Sequence, residues 1–152
     1  EDVSLGLRAW LEGQEVVLAR KACALNADGG TTKRTPYRTA FFTERNRWIN
    51  IFTFFSALTL LRLLPLLATE AAARIFWRSN RLAKIHAWVW LAFHPRELYR
   101  KRRKVQARRK VQDADILEKI SGSYLSVDSR SGRFVNSFWR FIFRLFLIPL
   151  GP

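Results

Sequence analysis

The chain has 152 residues, with 27 lysines and arginines against 12 aspartates and glutamates, for a formal net charge of +15. Apolar residues make up 49% and aromatics 14%, and Cys23 is the only cysteine, which excludes an intrachain disulfide framework. The length bounds the chain at one domain, or one small domain with extensions, and the charge favours polyanionic partners: nucleic acid, anionic lipid or an acidic protein. Arginines outnumber lysines 20 to 7. The planar guanidinium suits phosphates and carboxylates alike. Methionine is absent even at position 1, which predicts a removed targeting peptide and import into an organelle.

Residues 1–26 carry Val3, Leu7, Trp10, Leu11, Leu18, Ala22 and Leu25 at three- and four-residue steps. That spacing predicts an amphipathic helix, capped by Asp2 or Ser4 and stopped by the "NADGG" of 26–30. Residues 27–43 form a basic linker with Pro36, and Thr43 followed by Glu44 marks a new N-cap and first turn.

"WINIFTFFSALTLLRLLPLLA", 48–68, is the longest apolar stretch, 21 residues. As helix it is about 31 Å long, matching a hydrocarbon core of about 30 Å. Trp48 and Trp77 bracket a helix of roughly 43 Å, the depth of aromatic belts. Arg62 costs about 2.5–3.5 kcal/mol at mid-membrane, while each Leu, Ile or Phe returns about 0.3–0.6. The run holds twelve of these, so a transmembrane helix at about 46–78, within the segment 44–78, is expected. Arg62 and Asn50 then become intramembrane polar contacts. Asn50, Thr53, Ser56, Thr59 and Arg62 recur every third position, as contacts for partner subunits. Positive charge lies on both sides of the run and sets no orientation.

The apolar run within 82–94 is about 18 Å long as helix, too short to span. Residues 95–120 then form a basic helix, with Pro95 in its first turn. Eight cations fall between Arg100 and Lys110, and the block Arg-Arg-Lys-Val-Gln occurs at 102–106 and again at 108–112. Leu98, Tyr99, Val105, Ile116, Leu117 and Ile120 make an apolar stripe along it. Arg102, Arg103, Arg108 and Arg109 are expected to form a basic surface for an acidic partner or phosphate. Residues 121–133 are a Ser/Gly loop. In 134–152, Arg140 and Arg144 share a face opposite Phe134, Phe138, Phe141 and Leu145, the pattern of an interfacial aromatic helix. Arg78, Arg81, Arg140 and Arg144 are the candidates for lipid headgroups.

Catalytic constellations are missing. His86 and His94 lie on one helical face without a carboxylate or cysteine between them, so no metal is expected. "GGTTK" at 29–33 lacks the phosphate-loop spacing, and Cys23 has no histidine near it in sequence. "VSLGLR", 3–8, resembles six residues of the proton-channel subunit a of ATP synthases, but the charged residues that follow depart from that family's membrane helix. "LYR", 98–100, resembles the triplet of the LYR proteins of mitochondrial complex assembly. It lies mid-chain rather than near the N-terminus, so no residue role carries over.

The expected fold class is all-α: an extended, non-globular helical membrane subunit with one transmembrane helix, interfacial amphipathic helices and a long basic helix. The expected function is a non-catalytic accessory subunit of a mitochondrial inner-membrane complex of oxidative phosphorylation, respiratory chain or ATP synthase. It contributes to assembly and stability, with no cofactor but bound phospholipid such as cardiolipin, and its partners are other subunits and anionic lipid. The alternative is an RNA-binding mitochondrial ribosomal protein, with nucleic acid as the partner.

Overall fold

The 48–68 run does not fold as one helix. The computed structural model describes residues 2–17, 19, 21–23, 35–77 and 80–120, and among them the apolar run is divided at Phe55 and Ser56. The helices are α1 (Asp2–Leu11), α2 (Pro36–Phe54), α3 (Ala57–Trp77), α4 (Arg81–Phe93), α5 (Pro95–Gln106) and α6 (Asp113–Leu117), with no strand among the described residues. The all-α class holds.

The expected transmembrane helix does not. No helix among the described residues is long and apolar enough to cross a membrane. The apolar residues are shared out between α2, which carries Arg38, Glu44, Arg45 and Arg47, and α3, which carries Arg62, Glu70 and Arg74. Phe55 turns to an extended conformation, φ −96° and ψ 150°. Ser56 then restarts the helix: its Oγ accepts the Thr59 N–H at 3.3 Å. A serine oxygen on the third helical N–H is the usual N-cap bond. The polar residues at every third position thus include a helix boundary.

Three other boundaries also move. The expected 1–26 helix stops at Leu11, because Gly13 adopts φ 76°. The Gln14 N–H reaches Ala9 C=O at 2.8 Å and the Gly13 N–H reaches Trp10 C=O at 3.0 Å, a left-handed glycine termination. The expected 27–43 linker is helical from Pro36 onward. Proline fits the first helical position because its missing N–H would be unpaired there anyway. The expected 95–120 helix ends at Gln106 and resumes for five residues at Asp113. Between them the Lys110 N–H donates to Leu11 C=O at 2.9 Å, tying this connection to the end of α1. The Ser/Gly loop of 121–133 and the aromatic segment of 134–152 lie outside the described residues.

In place of an extended row of separate helices, the elements share one apolar core. Leu7 and Leu11 of α1, Trp48 and Phe54 of α2, Leu91 of α4, and Ile116 and Leu117 of α6 are buried in it. From α3 come Leu63, Leu66, Leu67 and Ala71, spaced three and four apart as one helical face requires. Ala83 and Ala87 of α4 are fully buried. Trp48 and Trp88 meet edge to face at 4.5 Å between α2 and α4, a favoured aromatic geometry. Polar groups close the packing. Arg47 bridges Glu44 of its own helix and Glu70 of α3, and Glu70 also holds Arg74 at 2.8 Å. The buried Lys84 Nζ donates to Arg74 C=O in the last turn of α3 at 2.9 Å, a favourable place for a cation. The stripe expected on the basic helix is partly internal, since Val105 and Ile120 pack on the core while Tyr99 stays exposed.

Candidate functional site

A helix that ends inside a protein leaves its last carbonyls without intrahelical donors. At the end of α2 those carbonyls are met by the basic segment. Arg102 Nη1 donates to Phe52 C=O and, at 2.7 Å, to Phe55 C=O. Gln106 Nε2 donates to Thr53 C=O at 2.8 Å and Phe54 C=O at 3.1 Å. Arg109 Nη2 donates to Phe54 C=O as well. The Phe55 N–H reaches Ile51 C=O at 3.4 Å, so each carbonyl from 51 to 55 is engaged.

One carboxylate completes the junction. Asp113 Oδ2 accepts the Ser56 N–H at 2.7 Å, and its Oδ1 lies 2.6 Å from Arg109 Nη1. Asp113 therefore stands at the N-terminus of α3, while Arg102 and Arg109 stand at the C-terminus of α2, each complementing a helix dipole. Burial acts to raise the Asp113 carboxyl. Hydrogen bonds from the Thr59 and Ser56 hydroxyls and the Ser56 N–H, with the Arg109 charge, outweigh it and hold the group below its ordinary value. Arg102 and Gln106 share a face of α5, Arg109 comes from the connection after it, and Asp113 opens α6.

The expected basic surface therefore divides. Arg102 and Arg109 are half-buried and spent on α2, whereas Arg103 and Arg108 are exposed. Arg108 lies 3.7 Å from Glu12. Arg96, Arg100, Lys101, Lys104 and Lys110 are exposed too. Lys101 pairs with Glu97 at 2.9 Å, and its hydrogen bond and charge lower the Glu97 carboxyl.

Two grooves flank α1. A basic one, about 470 Å³, has Arg8 from α1 and Lys101 and Lys104 from α5 on its walls, with Ser4, Asn46 and Asn50 beside them. A larger one, about 890 Å³, is walled by Val3, Leu7, Phe42, Ile51 and Phe55, with Arg38 and Arg47 also on its lining. Asn46 and Asn50 line both. Asn50, expected as an intramembrane contact, thus sits on the floor between two grooves. Arg62, its expected companion, is exposed on α3 and lines neither groove. Arg81, a headgroup candidate, is exposed at the start of α4, while Arg78, Arg140 and Arg144 lie outside the described residues.

The histidines serve packing. His86 lies 4.9 Å from the Phe41 ring and 3.2 Å from the Tyr37 hydroxyl, and His94 stacks on Trp90 at 4.1 Å. Among the described residues, no three His, Cys, Asp or Glu side chains gather as a metal site would need. Sequence reasoning missed Gln106 and Asp113 at the junction, and Arg8, Lys101 and Lys104 in the basic groove. The i, i+4 step from Arg102 to Gln106 was a usable signal for Gln106 alone, since Asp113 lies on a separate helix. No family model, curated protein or solved structure matches the chain.

Proposed function

We propose that this chain is a non-catalytic accessory subunit of a mitochondrial inner-membrane complex of oxidative phosphorylation, respiratory chain or ATP synthase, and that it acts in assembly and stability. The observation that carries this reading is apolar surface left uncovered on two neighbouring helices. On α3, Leu58, Leu61 and Leu64 are 59%, 66% and 58% exposed. On α4, Leu82 and Phe93 are 74% and 80% exposed, with Ile85 and Val89 between them at 44% and 45%. Contiguous apolar faces of this kind mark protein or membrane contacts. The reading places the described helices against lipid or neighbouring subunits rather than across the bilayer. Arg62 and Arg81 beside those faces suit anionic headgroups or acidic neighbours.

Native electrophoresis of mitochondrial membranes in mild detergent tests it. The expected outcome is co-migration with one large oxidative-phosphorylation complex. Migration as a free chain of 17.8 kDa sinks the reading.

A second reading has its own observation. Arg96, Arg100, Arg103 and Lys104 are exposed on α5 next to Tyr99, which is 69% exposed. Cations beside an open aromatic ring suit RNA, by phosphate contact and base stacking. If the chain sediments with ribosomal subunits and is released by RNase, this second function replaces the first.

A further inference from the structure

The two grooves beside α1 form one amphipathic site. Along a helix, the rows 3–7 and 4–8 lie side by side, about one residue's rotation apart. In α1 the first row, Val3 and Leu7, walls the apolar groove, and the second, Ser4 and Arg8, walls the basic one. Helix α1 is therefore the ridge between them, and Asn46 and Asn50 of α2 are the floor they share.

The chemistry differs sharply on the two sides. The basic groove collects cations from separate elements, Arg8 on α1 with Lys101 and Lys104 on α5, and no carboxylate lines it. The asparagines add neutral donors and acceptors suited to ester or hydroxyl oxygens. The apolar groove is within the volume of ligand pockets, about 300–1,000 Å³; its Val3, Leu7, Phe42, Ile51 and Phe55 walls are apolar, while of the two cations that also line it Arg38 lies over the Phe42 ring and Arg47 is paired with Glu44 and Glu70. A phosphate finds three cations and no carboxylate on the first side, and a fatty chain finds the larger apolar wall on the second.

We propose that this paired groove binds a single anionic phospholipid, with the phosphate on Arg8, Lys101 and Lys104 and an acyl chain between α1 and α2. The proposal rests on the membrane-complex reading and names its lipid. It also gives α1 a role as the ridge between the two grooves, held at its far end by the Lys110 N–H bond to Leu11 C=O at 2.9 Å.

The test is titration calorimetry of the full chain with soluble monomeric probes: dihexanoyl phosphatidylglycerol, dihexanoyl phosphatidylcholine and inorganic phosphate. Phosphatidylglycerol is expected to bind one per chain and more tightly than either other probe. The double variant R8Q/K104Q is expected to weaken it about 25-fold, at about fivefold per cation. Exposed Val3, changed to the uncharged Gln, is expected to weaken the lipid and leave phosphate binding as it was. R100Q/R103Q removes the same charge elsewhere on α5 and is expected to change little. Helical circular dichroism and the melting temperature of each variant establish that it folds.

Equal affinity for phosphatidylcholine overturns the proposal, and so does inorganic phosphate binding as tightly as the lipid. An equal loss in R100Q/R103Q does the same, since it assigns the binding to general charge. Failure of the membrane-complex reading looks different. In that case the lipid titration stands while the native chain co-migrates with no inner-membrane complex.

Discussion

The inner and outer sides of the basic segment 95–110 are built from the same residue types and do opposite things. Arg102, Gln106 and Arg109 turn inward and close the end of α2, while Arg100, Arg103 and Lys104 turn outward. The repeated block makes the contrast sharper. Its first copy sends the first arginine and the glutamine inward, and its second copy sends the second arginine inward. Local composition is thus no guide to what a cation is for. Position in the fold decides, because only the side turned to α2 meets the unpaired carbonyls of a broken apolar run.

The strongest way to break this contrast is at Arg109. R109A removes a carbonyl cap and leaves the Asp113 carboxylate, 8% exposed, without its cation. The expected loss is about 3 kcal/mol, the lower end for orphaning a buried charge, read as a shift in the urea midpoint. R102A comes next, at about 1–3 kcal/mol, since it leaves buried carbonyls unsatisfied. If R103A costs as much as R102A, the two faces are not distinct.

Acid provides a third, milder probe. The folded Asp113 carboxyl lies below its ordinary value, so the unfolded chain takes up the proton first as pH falls. Its contribution is complete above the ordinary aspartate range, near about pH 4, and is lost on descent through the folded value. The urea midpoint is expected to drop more between pH 7 and pH 3 in the native chain than in D113N. An equal drop in both removes Asp113 from the junction. The smallest stability effect belongs to the outer face. R100Q/R103Q should change stability by under about 0.5 kcal/mol, while lowering retention on an anionic resin at low salt, where exposed charges are least screened.

Much of the fold was legible. Period-3.6 spacing marked α1 and the apolar stripe of the basic segment, Pro95 marked the start of α5, and the helical row of 63, 66, 67 and 71 was present in the pattern. Boundaries were harder, for physical reasons that differ. Gly13 is a single residue inside an apolar periodicity, and its left-handed conformation appears only once the flanking carbonyls are accounted for. Pro36 lies in a polar stretch that lacks an apolar stripe, so its suitability as a first helical residue passed unnoticed. The break at Ser56 has neither glycine nor proline. Its stability depends on donors from about fifty residues downstream, which no local window contains. The candidate grooves were less legible still. Arg8, Asn50 and Lys104 share no motif and meet only because α1 and α5 both pack on α2.

That distance between the break and its supporting groups bears on the order of synthesis. Ser56 and Asp113 are 57 residues apart, so at about 5–20 residues per second the chain elongates for about 3–11 s between them. For most of that interval the emerging run has its apolar residues and Ser56 but lacks Arg102, Gln106, Arg109 and Asp113, the downstream side chains that hold the break. To the machinery that samples nascent chains, it is a candidate for bilayer insertion. A ribosome-arrested chain ending at residue 100 is expected to insert in a glycosylation-mapping assay, and one carrying residues through 120 beyond the exit tunnel is expected to insert less. Equal insertion of both would mean that the downstream helix arrives too late to matter.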